Sequence, residues 1–246
     1  MKARPVAIAV LSLAVLAGPA SAGEPRAVIE LFTSQGCSSC PPADKLLGQL
    51  ADDPSVIALS LPVDYWDYLG WKDTLALKGH SVRQRAYSQV RGDRAVYTPQ
   101  VVVNGAVHAL GSDKGEIEKA IADSRSQGSA LTVPVKMQLA DGKVTVTLPE
   151  SSAVQGKAQV WLLPIAKKIP VAIERGENSG HKITYHDVVR RWVKLGEWTG
   201  KPESYSLPVA EVTKNIGEIN QLAVLVQRDM DGKPGMMLGA AEANLQ

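Results

Sequence analysis

Both cysteines of the sequence, Cys37 and Cys40, lie in one stretch, residues 27–50, whose pattern indicates how the surrounding chain folds. An apolar run over residues 27–32 precedes them and predicts a buried strand. After them, Pro41-Pro42 suits the first turn of a helix, whose amides need no partner within the helix, and apolar residues then recur at helical spacing. The sequence therefore predicts two thiols at the point where a strand is followed by a helix.

This position favours a redox-active dithiol. A thiolate on Cys37 would face the unpaired amides and the positive end of the helix dipole, which lowers its pKa and makes it the better nucleophile. Cys40 could then attack the Cys37 sulfur and resolve a mixed disulfide. The same spacing also suits an inert disulfide or half of a metal site.

Residues 1–22 are predicted to be a cleaved signal peptide, because Lys2 and Arg4 precede an apolar run and Ala20-Ser21-Ala22 offers small residues for cleavage. No later stretch approaches the ~20 uninterrupted apolar residues that a membrane span needs. We therefore expect a periplasmic or secreted protein in an oxidising compartment, where the cysteine pair is a disulfide at rest. The formal net charge of +2 gives no basic surface for nucleic acid.

A second buried strand is predicted over residues 56–63, and the segment that follows it is rich in aromatic and acidic residues. Because ligand sites lie beyond the carboxyl ends of parallel strands, we expect this segment to lie near the cysteines. It supplies the candidate substrate-binding residues Asp64, Tyr65, Trp66, Asp67 and Trp71. The alternative is that the rings pack in the core and the aspartates cap the next helix.

A second helix is predicted over residues 81–91, with Val82 on its buried stripe and Arg83, Arg85 and Arg91 on a solvated face. Asn104-Gly105 between apolar runs then predicts a tight hairpin, and a last helix follows it. The resulting order of strand, helix, strand, helix, hairpin and helix is that of the thioredoxin fold.

Two further site residues are predicted from this order. Thr98-Pro99, at the start of the hairpin, resembles the cis-proline dipeptide that faces the redox motif in the thioredoxin fold, and Thr98 could offer backbone groups to an extended substrate. An ordinary trans proline is the alternative. Glu30, in the first strand, could pass a proton to Cys40 because burial raises the pKa of an unpaired carboxyl, with a partnered structural role as the alternative.

Three segments together resemble an uncharacterised bacterial family, domain of unknown function 1223: residues 30–42, 63–71 and 97–100. The resemblance runs through nearly all of the mature chain. It implies an exported thioredoxin-like protein.

The second half of the chain is predicted to be mostly β structure. Small and polar residues predict a linker at 127–132, which would separate a thioredoxin-like α/β domain over 23–126 from a domain over 133–246. Short alternating strands in that second domain favour a small β-sandwich. His181 and His186 beside Asp187 fall on opposite faces of a strand, so no metal site is predicted there.

Three functions are compatible with the sequence. The first is an exported thiol–disulfide oxidoreductase that needs no cofactor and acts on protein thiols or disulfides of the cell envelope, with Cys37 attacking and Cys40 resolving. The second is Cu(I) binding by both thiolates, for which His80 or His108 would supply a third ligand. The third is a binding module with a fixed disulfide. Residue identity sets neither the direction of electron flow nor the oligomeric state.

Overall fold

The computed structural model describes residues 24–126, 128 and 130–245, so the predicted signal peptide at 1–22 lies outside the described residues. No helix among the described residues is long and apolar enough to cross a membrane. The helices are α1 (Pro41–Leu50), α2 (Lys78–Arg91), α3 (Lys114–Ser126) and α4 (Val209–Val212), with a 3₁₀ turn at Asp67–Leu69. The strands are β1 (Ala27–Thr33), β2 (Val56–Pro62), β3 (Gln100–Val103), β4 (Val107–Leu110), β5 (Lys136–Ala140), β6 (Lys143–Leu148), β7 (Ala158–Ala172), β8 (Lys182–Val189), β9 (Val193–Trp198), β10 (Glu203–Pro208), β11 (Gln221–Met230) and β12 (Lys233–Asn244).

Most strands of the described chain form one mixed sheet. Its order is β12-β11-β7-β8-β2-β1-β3-β4, and β9 pairs with β7 outside this row. β1 and β2 are parallel, in register from Ala27↔Val56 to Thr33↔Pro62, whereas β1 and β3 are antiparallel. The predicted strand–helix–strand unit and the central mixed sheet are therefore confirmed.

Side chains alternate along β1 and build a separate core on each face of the sheet. Ile29 and Leu31 pack under α1 with Leu47, which is buried. Val28 and Phe32 belong to the core on the α2 side. Burying a side chain such as Leu47 contributes about 1.5–3 kcal/mol, so the apolar stripe of α1 holds the start of this helix beside the end of β1.

The packing of α2 differs from the sequence prediction. Val82, predicted on the buried stripe, is 55% exposed, and Arg83, predicted on the solvated face, has a side chain only 10% exposed. The cause is Glu30 of β1, which is fully buried and accepts hydrogen bonds from Arg83 and Tyr87. Because a buried carboxylate needs a partner, α2 presents its arginine to the sheet and leaves a valine outside.

The hairpin predicted at Asn104-Gly105 is confirmed. β3 and β4 pair antiparallel, and the two turn residues have φ of 50° and 66°. Glycine is required because a Cβ at residue 105 would lie 2.3 Å from the carbonyl oxygen of Gly235. The Asn104 side chain accepts a hydrogen bond from the Val28 amide at 2.8 Å and donates one to Ser124 Oγ at 2.9 Å, so the turn is tied to β1 and α3.

The strands after residue 132 extend the central sheet and add a second sheet of order β10-β6-β5. β8 joins β2 in parallel at Ser60↔Val188, so the row of strands is continuous between the two halves of the chain. The second sheet packs on the first through a core that includes Val146, Leu162 and Val224. The chain therefore has a second β sheet packed on the central mixed sheet, and the separate small β-sandwich stays a prediction. The division into two domains at 127–132 stays a prediction.

Candidate functional site

Cys37 and Cys40 form a disulfide between the end of β1 and the start of α1. Cys40 is the N-cap residue of α1. Cys37 is 1% exposed and Cys40 is 0% exposed, whereas Ser38 and Ser39 between them are exposed. The pair therefore lies at the helix N-terminus, as predicted, and just beneath the surface. Pro41 and Pro42 have no N–H, and the amides of Ala43 and Asp44 bond to Cys40 O, so it is the positive end of the helix dipole that stabilises a thiolate here.

The Thr98–Pro99 peptide is cis, which confirms the sequence prediction. Pro99 lies beside the first turn of α1, as their common neighbour Gly111 demonstrates. A Cβ built on Gly111 would lie 3.1 Å from Pro99 Cβ and 3.3 Å from Ala43 Cβ. The structure thus brings the cis peptide to the end of α1 that carries the disulfide.

Two tryptophans of the predicted aromatic segment contact residues 34–40, which we call the cysteine turn. Trp66 approaches Gly36 so closely that a Cβ there would lie 3.1 Å from Trp66 Cβ, and Trp66 Nε1 donates a hydrogen bond to Thr98 Oγ1 at 2.8 Å. Trp71 Nε1 donates to Gln35 Oε1 at 2.8 Å. Trp66 therefore links the cysteine turn to the cis peptide, and Trp71 holds the start of that turn.

The other predicted binding residues of this segment bond to neighbouring parts of the fold. The Tyr65 hydroxyl donates to Gln84 Oε1 at 3.1 Å. The Asp64 carboxylate accepts a hydrogen bond from the Ser81 hydroxyl in the first turn of α2. Asp67 Oδ1 accepts the backbone amide of residue 73 at 3.0 Å. These are the packing and capping contacts of the alternative interpretation, and they leave Trp66 and Trp71 as the residues of the segment that contact the cysteine turn.

The cysteine turn is covered by a loop from the second half of the chain. This loop spans residues 173–181 between β7 and β8, and we call it the covering loop. Asn178 is 4% exposed, and its Nδ2 donates hydrogen bonds to Gln35 O at 3.0 Å and to Cys37 O at 2.9 Å. Glu177 Oε2 accepts the Ser38 amide at 3.3 Å. The loop thus contributes polar contacts to the burial of the cysteine turn. Sequence reasoning missed it because Asn178 lies 141 residues from the cysteine that it contacts.

A buried acid, Asp44, lies one helical turn after Cys40. Residues four apart share one face of a helix, so this carboxyl lies on the same side of α1 as the cysteine. Asp44 is 2% exposed, and neither of its carboxyl oxygens has a hydrogen-bond partner among the described residues. Burial raises the pKa of Asp44 to about 8, the charge of Asp73 adds to this rise, and the Thr33 hydroxyl offsets part of it.

Asp44 is therefore protonated at neutral pH. It is the functional candidate that sequence reasoning missed in the first half of the chain. The available signal was an aspartate inside the apolar stripe of α1, four residues after the second cysteine.

Glu30 lies on the opposite face of the sheet from α1. Its neighbours along β1 face α1, and alternation directs Glu30 to α2, where Arg83 Nε lies 2.6 Å from its Oε1 and the Tyr87 hydroxyl donates to its other oxygen. The structure does not bring Glu30 to Cys40. It has the partnered structural role that the sequence analysis kept as the alternative.

The two histidines considered as copper ligands have partners elsewhere. His80 Nδ1 lies 2.9 Å from Pro62 O, and burial lowers the pKa of His80 to about 4. His108 Nδ1 lies 2.9 Å from the Tyr97 hydroxyl, and its Nε2 lies 3.3 Å from Asp93. Within the described part of the chain, no group of three or more His, Cys, Asp or Glu side chains could hold a metal ion.

Comparison with known proteins gives a family. A family model with the description "Protein of unknown function (DUF1223)" matches residues 28–227, which confirms the resemblance found in the sequence. No curated protein matches the chain.

Two solved structures are similar to the chain. A protein from Agrobacterium tumefaciens, solved by the Northeast Structural Genomics Consortium, is 35% identical with a TM-score of 0.78, over 89% of this chain and 94% of that one. HBP35 of Porphyromonas gingivalis is 12% identical with a TM-score of 0.57, over 90% of this chain and 76% of that one. At that identity the second likeness shows a similar fold alone.

Proposed function

The chain belongs to the family of proteins of unknown function DUF1223, and we propose that it is an exported thiol–disulfide oxidoreductase whose first half is thioredoxin-like. The observation that supports this most is the position of the Cys37–Cys40 pair at the N-terminus of α1, on the side where the cis Thr98–Pro99 peptide packs. A helix N-terminus stabilises the thiolate that exchange chemistry needs. Export is supported by the composition of residues 1–22.

In the proposed reaction the reduced Cys37 attacks one sulfur of a client disulfide as a thiolate. The client S–S bond breaks, its second sulfur leaves as a thiolate, and a mixed disulfide joins the client to Cys37. Cys40 then loses its proton and attacks the Cys37 sulfur, which closes the internal disulfide and releases the client. Two electrons pass to the client, and the same steps in reverse oxidise a client dithiol.

We assign to Asp44 the transfer of a proton to and from the sulfur of Cys40. The Asp44 pKa of about 8 is close to the ~8.5 of a free thiol, so a proton moves between the two groups with little driving force in either direction. When a thiolate opens the internal disulfide, Cys40 leaves as a thiolate and takes the Asp44 proton. When Cys40 attacks, the Asp44 carboxylate accepts the proton back.

The covering loop controls access to Cys37 in this proposal. Asn178 and Glu177 hold it against the cysteine turn by three hydrogen bonds. Each hydrogen bond contributes roughly 0.5–1.5 kcal/mol to stability. The free energy of breaking all three therefore lies within the range of local opening reactions in native proteins. A client segment would then contact Cys37 with Thr98 beside it.

The burial of both cysteines favours a second candidate function. Exposures of 1% and 0% are those of a structural disulfide, and the protein would then be a binding module whose cysteine turn is fixed by that bond. In that case the covering loop would remain closed and the disulfide would not exchange.

Trapping of mixed disulfides distinguishes the two functions. In a Cys40→Ser variant produced with its leader, a client stays attached to Cys37, so we expect adducts that dissociate on reduction. The matched control is the Cys37→Ser/Cys40→Ser double variant, which should give none. An oxidoreductase is contradicted if Cys40→Ser gives no adducts and the wild-type disulfide resists reduction by dithiothreitol in the folded protein.

A further inference from the structure

A cavity of about 280 Å³ opens between α2 and the strands of the second half. It lies on the α2 side of the sheet, away from α1 and the disulfide. Val82 and Arg83 line it from α2, Trp161 from β7, and Lys233 from the start of β12. A cleft between two parts of a fold is a common position for a small-molecule site.

Aromatic rings form much of its wall. Trp161 and Trp192 pack edge to face with ring centroids 5.9 Å apart, and the guanidinium carbon of Arg83 lies 4.2 Å from the centroid of Trp192. The exposed Val82 side chain adds an apolar surface at the cavity. Flat, apolar molecules suit such a wall because they can stack on indole and guanidinium faces.

The charge of the cavity has one sign. Its charged lining residues are Arg83, Arg228 and Lys233, and no acidic residue lines it within the described chain. The charge of Arg83 is matched by Glu30. Arg228 and Lys233 have no ion-pair partner among the described residues, and Arg228 Nε is buried without a hydrogen-bond partner there. Two cations beside an apolar surface favour an anion, because a carboxylate or sulfonate forms charge-assisted hydrogen bonds with them.

We propose that this cavity binds a small aromatic anion, an aryl carboxylate or aryl sulfonate. The ring system lies against Trp161 and Trp192, and the acidic group meets Arg228 and Lys233. The volume is near the lower end of the roughly 300–1,000 Å³ of ligand pockets, which limits the ligand to one or two ring systems. Neither cysteine lines the cavity, so binding there is independent of the proposed exchange reaction.

Two fluorescent probes of similar shape test the charge requirement on the full-length, oxidised protein. 8-Anilinonaphthalene-1-sulfonate carries a sulfonate, and N-phenyl-1-naphthylamine is its neutral counterpart. We expect one molecule of the sulfonate to bind per chain, with energy transfer from tryptophan, and at least tenfold more tightly than the neutral probe. Equal affinities, or no saturable binding of the sulfonate, would overturn the proposal.

Matched variants test the location. Arg228→Gln/Lys233→Gln should weaken binding of the sulfonate at least fivefold and leave that of the neutral probe unchanged. Lys136→Gln/Lys201→Gln removes the same charge from exposed positions outside the cavity and should change neither affinity. If both double variants weaken binding of the sulfonate equally, net charge alone attracts it. If neither weakens binding, Arg228 and Lys233 do not hold the sulfonate. Either result shows that the assigned site is wrong.

A second variant fills the space without changing the charge. Ala86 lines the cavity from α2 and is only half-buried, so Ala86→Trp places a ring in the cavity from the helix surface. We expect it to weaken binding of the sulfonate at least tenfold while the circular dichroism spectrum and melting temperature stay near those of the wild type. Unchanged binding in this folded variant would contradict the proposed site.

Discussion

Replacing Asp44 with asparagine removes a buried acid that the folded protein holds in its protonated form. Burial raises its pKa from 3.8 to about 8, and the folded state therefore keeps a proton that the unfolded chain releases between those pH values. Where the folded state binds more protons than the unfolded state, stability falls as pH rises. The penalty is absent below about pH 4 and is complete above about pH 8.

The size of this effect follows from the pKa difference. Each pH unit in the window changes the free energy of unfolding by about 1.4 kcal/mol. The pKa of Asp44 in the unfolded chain lies about three units below pH 7. At pH 7 the buried acid therefore lowers the free energy of unfolding of the wild type by up to about 4 kcal/mol. Asparagine has nearly the shape of the protonated acid and does not ionise. The advantage of Asp44→Asn over wild type should therefore grow steadily with pH.

Urea denaturation of both oxidised proteins, at a series of pH values from about 4 to about 8, measures this directly. The quantity to compare is the difference in the free energy of unfolding between variant and wild type. Taking the difference cancels other titrating groups with a raised pKa, such as Asp187 and Glu242. A difference that stays constant across the series would refute the assignment of a raised pKa to Asp44, and with it the proton transfer to Cys40.

Three other substitutions test the covering loop, the buried ion pair and the hairpin turn. Asn178→Ala should raise the alkylation rate of Cys37 in the reduced protein severalfold, measured by mass spectrometry, whereas Ser179→Ala in the same loop should leave this rate unchanged. If Asn178→Ala and wild type are alkylated at equal rates, the covering loop does not limit access to Cys37. Glu30→Gln should lower the free energy of unfolding by about 3–5 kcal/mol in urea titrations, because it breaks a buried ion pair. It should leave the pH profile of thiol–disulfide exchange unchanged, and a shifted profile would show that Glu30 has a catalytic role after all. Gly105→Ala should lower the melting temperature more than Gly142→Ala does. The φ values of the two glycines are similar, 66° and 70°, but only a Cβ at residue 105 would lie 2.3 Å from a carbonyl oxygen. Equal losses of melting temperature would contradict this packing.

The features predicted correctly from sequence depend on contacts within a few residues. The strand, cysteine turn and helix around Cys37 follow from an apolar run, two prolines and a helical apolar stripe. The turn at Asn104-Gly105 follows from the two residue types that best tolerate positive φ. Such local preferences are present in the chain before any tertiary contact forms.

The prediction for α2 was wrong because its packing is decided by a distant residue. Arg83 is 53 residues from Glu30, and no periodicity within the helix indicates that a buried carboxylate will pair with it. The hydrophobic pattern alone placed Val82 inside. A charged residue in a strand predicted to be buried on both faces was the available signal that some arginine or lysine would also be buried.

The candidate site could be predicted only in the part that lies close to the cysteines in sequence. Trp66 was expected there from the topology of parallel strands, and the cis peptide from the resemblance of Thr98-Pro99 to the cis-proline of the thioredoxin fold. The covering loop comes from the other side of the predicted linker, and its approach depends on β8 joining β2 in one sheet at Ser60↔Val188. No sequence pattern indicates that two strands will pair through a single pair of residues, so the contact of the covering loop with Cys37 was not predicted.

The reduction potential of the Cys37–Cys40 pair decides whether this disulfide takes part in exchange. The folded protein would be equilibrated in glutathione or dithiothreitol buffers of known potential, acid-quenched, alkylated and quantified by mass spectrometry. An exchanging dithiol should reach the same ratio from either direction, with a potential between about −120 and −270 mV. A bond that stays oxidised below about −300 mV is a structural disulfide, and that result would exclude thiol–disulfide exchange as the function.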